Sequence, residues 1–167
     1  MTGTERERGL LGMLDGLYRG LGEAAPRALE DAAAVALYES GRAVGEAALV
    51  WRERLGDAPA APLPAIVEAF ATAAELDPSG RLSLAVATSL VGPRVLVSLR
   101  DAREEPGADP LDEGARAASA VASDAVVAAL WRCARAAEGL GETEGGADGY
   151  AAVARRLDQD GYGESFR

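Results

Sequence analysis

The chain has 167 residues, 49% of them apolar but only 5% aromatic, and 27 acidic against 17 basic residues give a formal net charge of −10. That length supports a single domain, residues 1 to 167, with a real core. A surface of that sign repels phosphate backbones and anionic lipid, so neither nucleic acid nor a membrane is an expected partner.

Histidine, lysine and asparagine are absent, and Cys133, Ile66 and Gln159 are each the only residue of their type. This is a bias that GC-rich codons, bacterial or archaeal, would produce. Without histidine the usual general base and the usual transition-metal ligand are missing. Without lysine there is no Schiff base and no phosphate-loop lysine. One cysteine makes neither a disulfide nor a structural zinc site, and it fits a reducing compartment. The charged start, Met1 to Arg8, lacks the pattern of a signal peptide, and no stretch reads as the roughly 20 apolar residues of a membrane span, so the expected location is cytoplasmic. No motif calls for a cofactor.

The first predicted helix starts at Thr4, which has capping-box spacing to Glu7. Leu10, Met13, Leu14, Leu17 and Leu21 form its apolar stripe, and Gly12, Gly16 and Gly20 form a second one. Three glycines in register point to a close helix crossing, with a mobile terminal helix over residues 1 to 24 as the other reading. A long helix follows from Pro26 to just before Gly56, with Leu29, Ala33, Leu37, Val44, Ala48, Trp51 and Leu55 on one face. Gly41 and Gly45 interrupt it, and Glu39, Glu46 and Glu53 stand seven apart as a solvated stripe. After a proline-punctuated linker, residues 56 to 65, a short helix from Pro64 to Leu76 turns Ile66, Val67 and Phe70 inward. "DPSG", residues 77 to 80, is a turn signal.

In residues 81 to 102, "RLSLAVATSLVGPRVLVSLRDA", Leu82, Leu84, Val86 and Leu90 alternate with smaller or polar residues. Beyond Gly92-Pro93 the alternation resumes with Val95, Val97 and Leu99. Two period-two runs across a Gly-Pro break predict a β-hairpin with one buried face, although Leu82, Val86 and Leu90 are also four apart, as in a helix. A last long helix is expected from a cap at Asp109 with Pro110 in the first turn, carrying Val121, Val126, Leu130, Trp131 and Cys133 and stopping near Gly139. Cys133 reads as a small buried hydrophobe rather than a reactive thiol. Tyr150, Val153 and Leu157 have the spacing of a short amphipathic helix, and the tail from 160 to 167 has no pattern that predicts order.

The stretch "ALYESGRAVGEAAL", residues 36 to 49, resembles the glycine-bearing helix of small-molecule-binding domains related to 4-vinyl reductase. The order that follows is similar over roughly residues 27 to 138: a short helix, a hairpin ending in "RVLVSLRDA", then a long helix. The resemblance implies a domain that holds a small hydrophobic molecule between its hairpin and helices. Members usually close with further strands bearing a Glu and cysteines, which this chain lacks, so no metal-site residue carries over.

The expected fold is therefore α+β and predominantly helical, long helices packed with one hairpin, with an all-α bundle as the alternative. The expected function is a non-enzymatic, ligand-binding or regulatory domain for a small hydrophobic molecule, with Trp51, Phe70, Trp131 and Tyr38 lining the pocket and no catalytic or metal residues. The rival is a homo-oligomeric interaction module without a ligand, associating through its Ala/Gly helix faces or its hairpin edge. A carboxylate-metal enzyme stands third.

Overall fold

The computed structural model describes residues 3–56, 61–104, 112–141 and 146–159. The leucine stripe of the first segment winds as α1, Gly3–Ala24, and buries Leu10, Leu11, Met13, Leu14, Leu17 and Leu21. Thr4 lies inside its first turn rather than at its cap. A 3₁₀ turn at Ala25–Arg27 takes up Pro26, and α2, Asp31–Leu55, then runs back along α1, ending at Gly56 with φ 62°. Both glycine pairs serve close packing. A Cβ on Gly12 would sit 2.9 Å from the Ala61 carbonyl oxygen, and one on Gly20 2.3 Å from the Phe70 ring, where the segment at 61–63 and α3, Pro64–Leu76, cross α1. On α2, a Cβ on Gly41 would meet Leu21 at 3.3 Å, and one on Gly45 the Tyr18 ring at 2.7 Å.

The middle segment overturns the hairpin. Residues 81–104 form one helix, α4, Arg81–Glu104, and no strand occurs among the described residues. The fold is all-helical, the architecture given above as the alternative. The reason lies at the Gly-Pro break. Proline has no N–H to give and its ring crowds the carbonyl four residues back, so a regular α-helix fails there. Here Val86–Val91 widens to a π turn, and the Gly92 N–H reaches five residues back to the Ala87 carbonyl. The Ser89 carbonyl, which Pro93 cannot satisfy, accepts from the Tyr150 hydroxyl at 3.4 Å. The extra residue also shifts the apolar register. Leu82, Val86 and Leu90 are buried at steps of four, and the face resumes after a step of five at Val95 and Leu99. The apparent period of two before the break reflects a helix buried over a broad face, since Leu82, Ser83, Leu84, Val86 and Ala87 are all buried. Val97, inward in the hairpin reading, is 45% exposed.

The "DPSG" turn holds as a turn but opens a helix. The Asp77 carboxylate accepts from the backbone N–H groups of Ser79 at 3.0 Å and Leu82 at 2.8 Å, and Gly80 takes φ 93°. The next helix, α5, Glu113–Leu140, is capped by Asp112, whose carboxylate accepts from the Ala115 N–H at 2.8 Å. Asp109 and Pro110, expected at that start, lie outside the described residues, as does the tail from 160 to 167. Last comes α6, Gly146–Gln159, which buries Val153 and Leu157.

In this arrangement α2 is central, with α1 on one flank and α5 on the other; α3 lies on α1, α4 on α5, and α6 closes against α3 and α4. Among the described residues, two helices are long and apolar enough to cross a membrane by length and composition: α4, with mean hydropathy 1.7, and α5, with 1.3. The hairpin reading had divided α4 and so hidden its length. Over half of the α4 window is buried inside the bundle, which gives its apolarity a use in the core. Only a third of the α5 window is buried among the described residues.

Candidate functional site

Ion pairs account for the buried acids. Glu7, on α1, receives the Arg54 guanidinium at 2.9 and 3.2 Å, and Arg54 also reaches Asp112 at the head of α5. The Glu7 bonds, with those to Asp112, hold Arg54 firmly protonated. Arg52 hydrogen-bonds Asp15. Burial raises the Asp15 carboxyl above its ordinary range, although Arg52 and Arg19 oppose this. These clasps tie α1, α2 and the start of α5 together and hold Glu7, Asp15 and Asp112 in ion pairs. Among the described residues no group of three or more His, Cys, Asp or Glu could hold a metal ion.

Cys133 is buried beside Ser40, whose hydroxyl donates to the Ala129 carbonyl at 3.1 Å with the thiol 3.5 Å away. Burial pushes the thiol above its ordinary value, outweighing Ser40 and Arg132. A thiol held protonated is a poor nucleophile.

The four residues expected to line one pocket are divided by the fold. Trp51 and Phe70 are core residues, 0% and 1% exposed, and the Trp51 indole N–H has no acceptor among the described residues. Trp131 and Tyr38 are surface residues, 67% and 62% exposed. The proposed cavity between hairpin and helices does not exist, because its hairpin wall is the buried helix α4.

Tyr38 does border a cavity, on the other side of the molecule. Between α1 and α2 lies an open, largely apolar groove of about 440 Å³, lined by Tyr18, Arg19, Gly22, Glu23, Tyr38, Gly41 and Arg42. Its shape follows from the antiparallel run of the two helices. Tyr18 lies over Gly45 and Leu21 lies against Gly41, so Tyr18 and Tyr38 stand at opposite ends of the glycine-floored stretch. A Cβ on Gly22 would touch nothing within 4 Å, so it marks open floor. Arg19 and Arg42 border the groove. Among the described residues the ion pairs they form are with residues four on, Glu23 at 3.9 Å and Glu46 at 4.0 Å, exposed and of little strength.

Sequence reading found Tyr38 and noted Gly41, but missed Tyr18, Arg19, Gly22, Glu23 and Arg42. The available signal was a tyrosine followed by a glycine one helical turn on, Tyr18 to Gly22 at four residues and Tyr38 to Gly41 at three, on helices joined by a short connection. A second groove, of about 450 Å³, lies between α2 and α5, lined by Asp31, Ala32, Val35, Ala36, Glu39, Arg132 and Arg135. No protein-family model, curated protein or solved structure matches the chain.

Proposed function

We propose that the chain is a non-enzymatic binding module that holds a small hydrophobic molecule, flat enough to lie between Tyr18 and Tyr38, in the α1–α2 groove. The observation that carries this reading is a largely apolar groove of about 440 Å³ bordered by the Tyr18 and Tyr38 rings and open to the backbone at Gly22. Pockets for small molecules commonly enclose about 300–1,000 Å³ with apolar walls and few polar groups. Tyrosine rings offer offset or edge-on packing to a planar guest, and Gly22, where a Cβ would touch nothing within 4 Å, lets that guest approach the α1 backbone. Arg19 and Arg42 can take an acidic substituent. The groove offers tyrosines, arginines and one glutamate but no nucleophile beside a base, which favours binding over turnover.

The test uses 1-anilinonaphthalene-8-sulfonate, an aromatic probe with an anionic group. Wild-type protein is expected to bind it saturably at one site. Gly22→Leu, whose side chain grows into the open floor, should weaken that binding by at least about tenfold while the helix gains up to roughly 1 kcal/mol from losing a glycine. Equal binding by Gly22→Leu, or no saturable binding to wild type, overturns the reading.

A further inference from the structure

Helix α5 carries one four-and-three spacing twice, on opposite faces, apolar inside and mixed apolar and charged outside. The inner repeat, Ala115, Ser119, Ala122, Val126, Ala129 and Cys133, steps by four and three and is buried in the bundle. The outer repeat, Ala117, Val121, Asp124, Ala128, Trp131, Arg135 and Glu138, has the same steps, and every member is exposed. Such alternation keeps one stripe of a helix facing a partner helix. No described part of this chain covers the outer stripe, which runs for roughly 30 Å at 1.5 Å per residue. Trp131 is 67% exposed on it and Val121 50%.

We infer that this stripe is the contact surface for a second copy of the chain, with the two α5 helices packed antiparallel about a twofold axis. The stripe itself selects the occupant and the register. Asp124 and Arg135 lie on it without an ion-pair or hydrogen-bond partner among the described residues. When two copies run antiparallel with the axis passing between Ala128 and Trp131, Asp124 faces the partner's Arg135 and, by symmetry, Arg135 faces the partner's Asp124. In the same register Trp131 lies over the partner's Ala128, a large side chain on a small one, twice. Sliding the helices by one heptad removes both ion pairs. A twofold contact must be self-complementary in this way. A lipid surface suits the stripe less well, because Asp124 at its middle would enter the apolar layer unpaired.

The contact does not use the α1–α2 groove, so it stands independently of the ligand proposal. Helix pairing of this extent falls at the small end of specific interfaces, and a reversible dimer is expected. Sedimentation velocity over a rising concentration series should show wild type passing from monomer to dimer, with Trp131 emission shifting to the blue in step. Asp124→Arg and Arg135→Asp should each weaken association by about tenfold or more, since each places like charges together. The double variant Asp124→Arg/Arg135→Asp should restore it to within a few-fold of wild type. Both sites are exposed, so at concentrations where wild type is monomeric the melting curves should coincide. A wild type that remains monomeric throughout, a double variant no better than the singles, or a monomer that binds lipid vesicles through Trp131 would each overturn the inference.

Discussion

Gly20 and Gly92 both mark tight helix contacts, and only the first could be read in advance. At Gly20 the helix stays regular. The stripe Gly12, Gly16 and Gly20 keeps its period, and the Phe70 ring fits where a side chain would be. At Gly92 the helix does not stay regular. The backbone widens over Val86–Val91, and a Cβ would fall 2.2 Å from Leu130 and 2.5 Å from the Ala87 carbonyl oxygen. The first contact is written in spacing alone. The second depends on Leu130, a residue of another helix, and on a proline whose cost is absorbed by the π turn.

The largest expected effect tests that second contact. Gly92→Ala drives a methyl group against a backbone oxygen that cannot swing away as well as against Leu130, and should destabilise the fold by about 3 kcal/mol, the upper range for overpacking. Urea denaturation followed by circular dichroism measures it. A loss below about 1 kcal/mol would show that the α4–α5 contact yields easily.

Gly20→Ala is expected to cost less. Its methyl meets a side-chain ring rather than backbone, and the helix recovers roughly 1 kcal/mol on losing a glycine, so a net loss of about 1.5 kcal/mol is expected. Gly22→Ala, two residues on and facing open space, should instead gain up to about 1 kcal/mol. Equal values for the two in the same denaturation series would remove the claim that α3 crosses α1 at Gly20.

What could be read beforehand follows the same division. The helices α1, α3 and α6 were legible because their apolar residues recur at one unbroken period, and the bounds of α3 were met at Pro64 and Leu76. The segment 81–104 was not. Its helix is buried over a broad face before the break, so Leu82, Leu84 and Val86 imitate alternation. The inserted residue breaks the period that would join the two halves, and the β-branched Val86, Val91, Val95 and Val97 favour a strand reading. The groove was half legible. Tyr38 and Gly41 could be seen on α2, but their counterparts Tyr18 and Gly22 acquire meaning only once α1 and α2 run antiparallel side by side. Trp51 and Trp131, alike in sequence terms, ended at opposite extremes of exposure because tertiary packing, not residue type, decides which face of a helix is covered.

The smallest expected effect sharpens the comparison at the entry to α4, where local chemistry rather than a distant helix sets the backbone. Burial alone would raise the Asp77 carboxyl, but the Ser79 hydroxyl and the N–H groups of Leu82 and Ser79 hold it below its ordinary value, with help from Arg81. Asp77→Ala removes these bonds and should cost about 1 kcal/mol near neutral pH, as helix caps commonly do. The sign of the pH dependence is fixed. A carboxyl whose folded value lies below its unfolded one, about 3.9, contributes fully above that pH and loses its contribution as pH falls through the folded value. Asp15 shifts the other way and Asp112 the same way, but both are present in wild type and variant and cancel in the difference. The gap in stability between wild type and Asp77→Ala should therefore narrow as pH is lowered from 6 toward 3, roughly through the carboxylate range. A gap that stays constant would mean that the carboxylate charge plays no part and that the turn is held by Gly80, with φ 93°, and Pro78 alone.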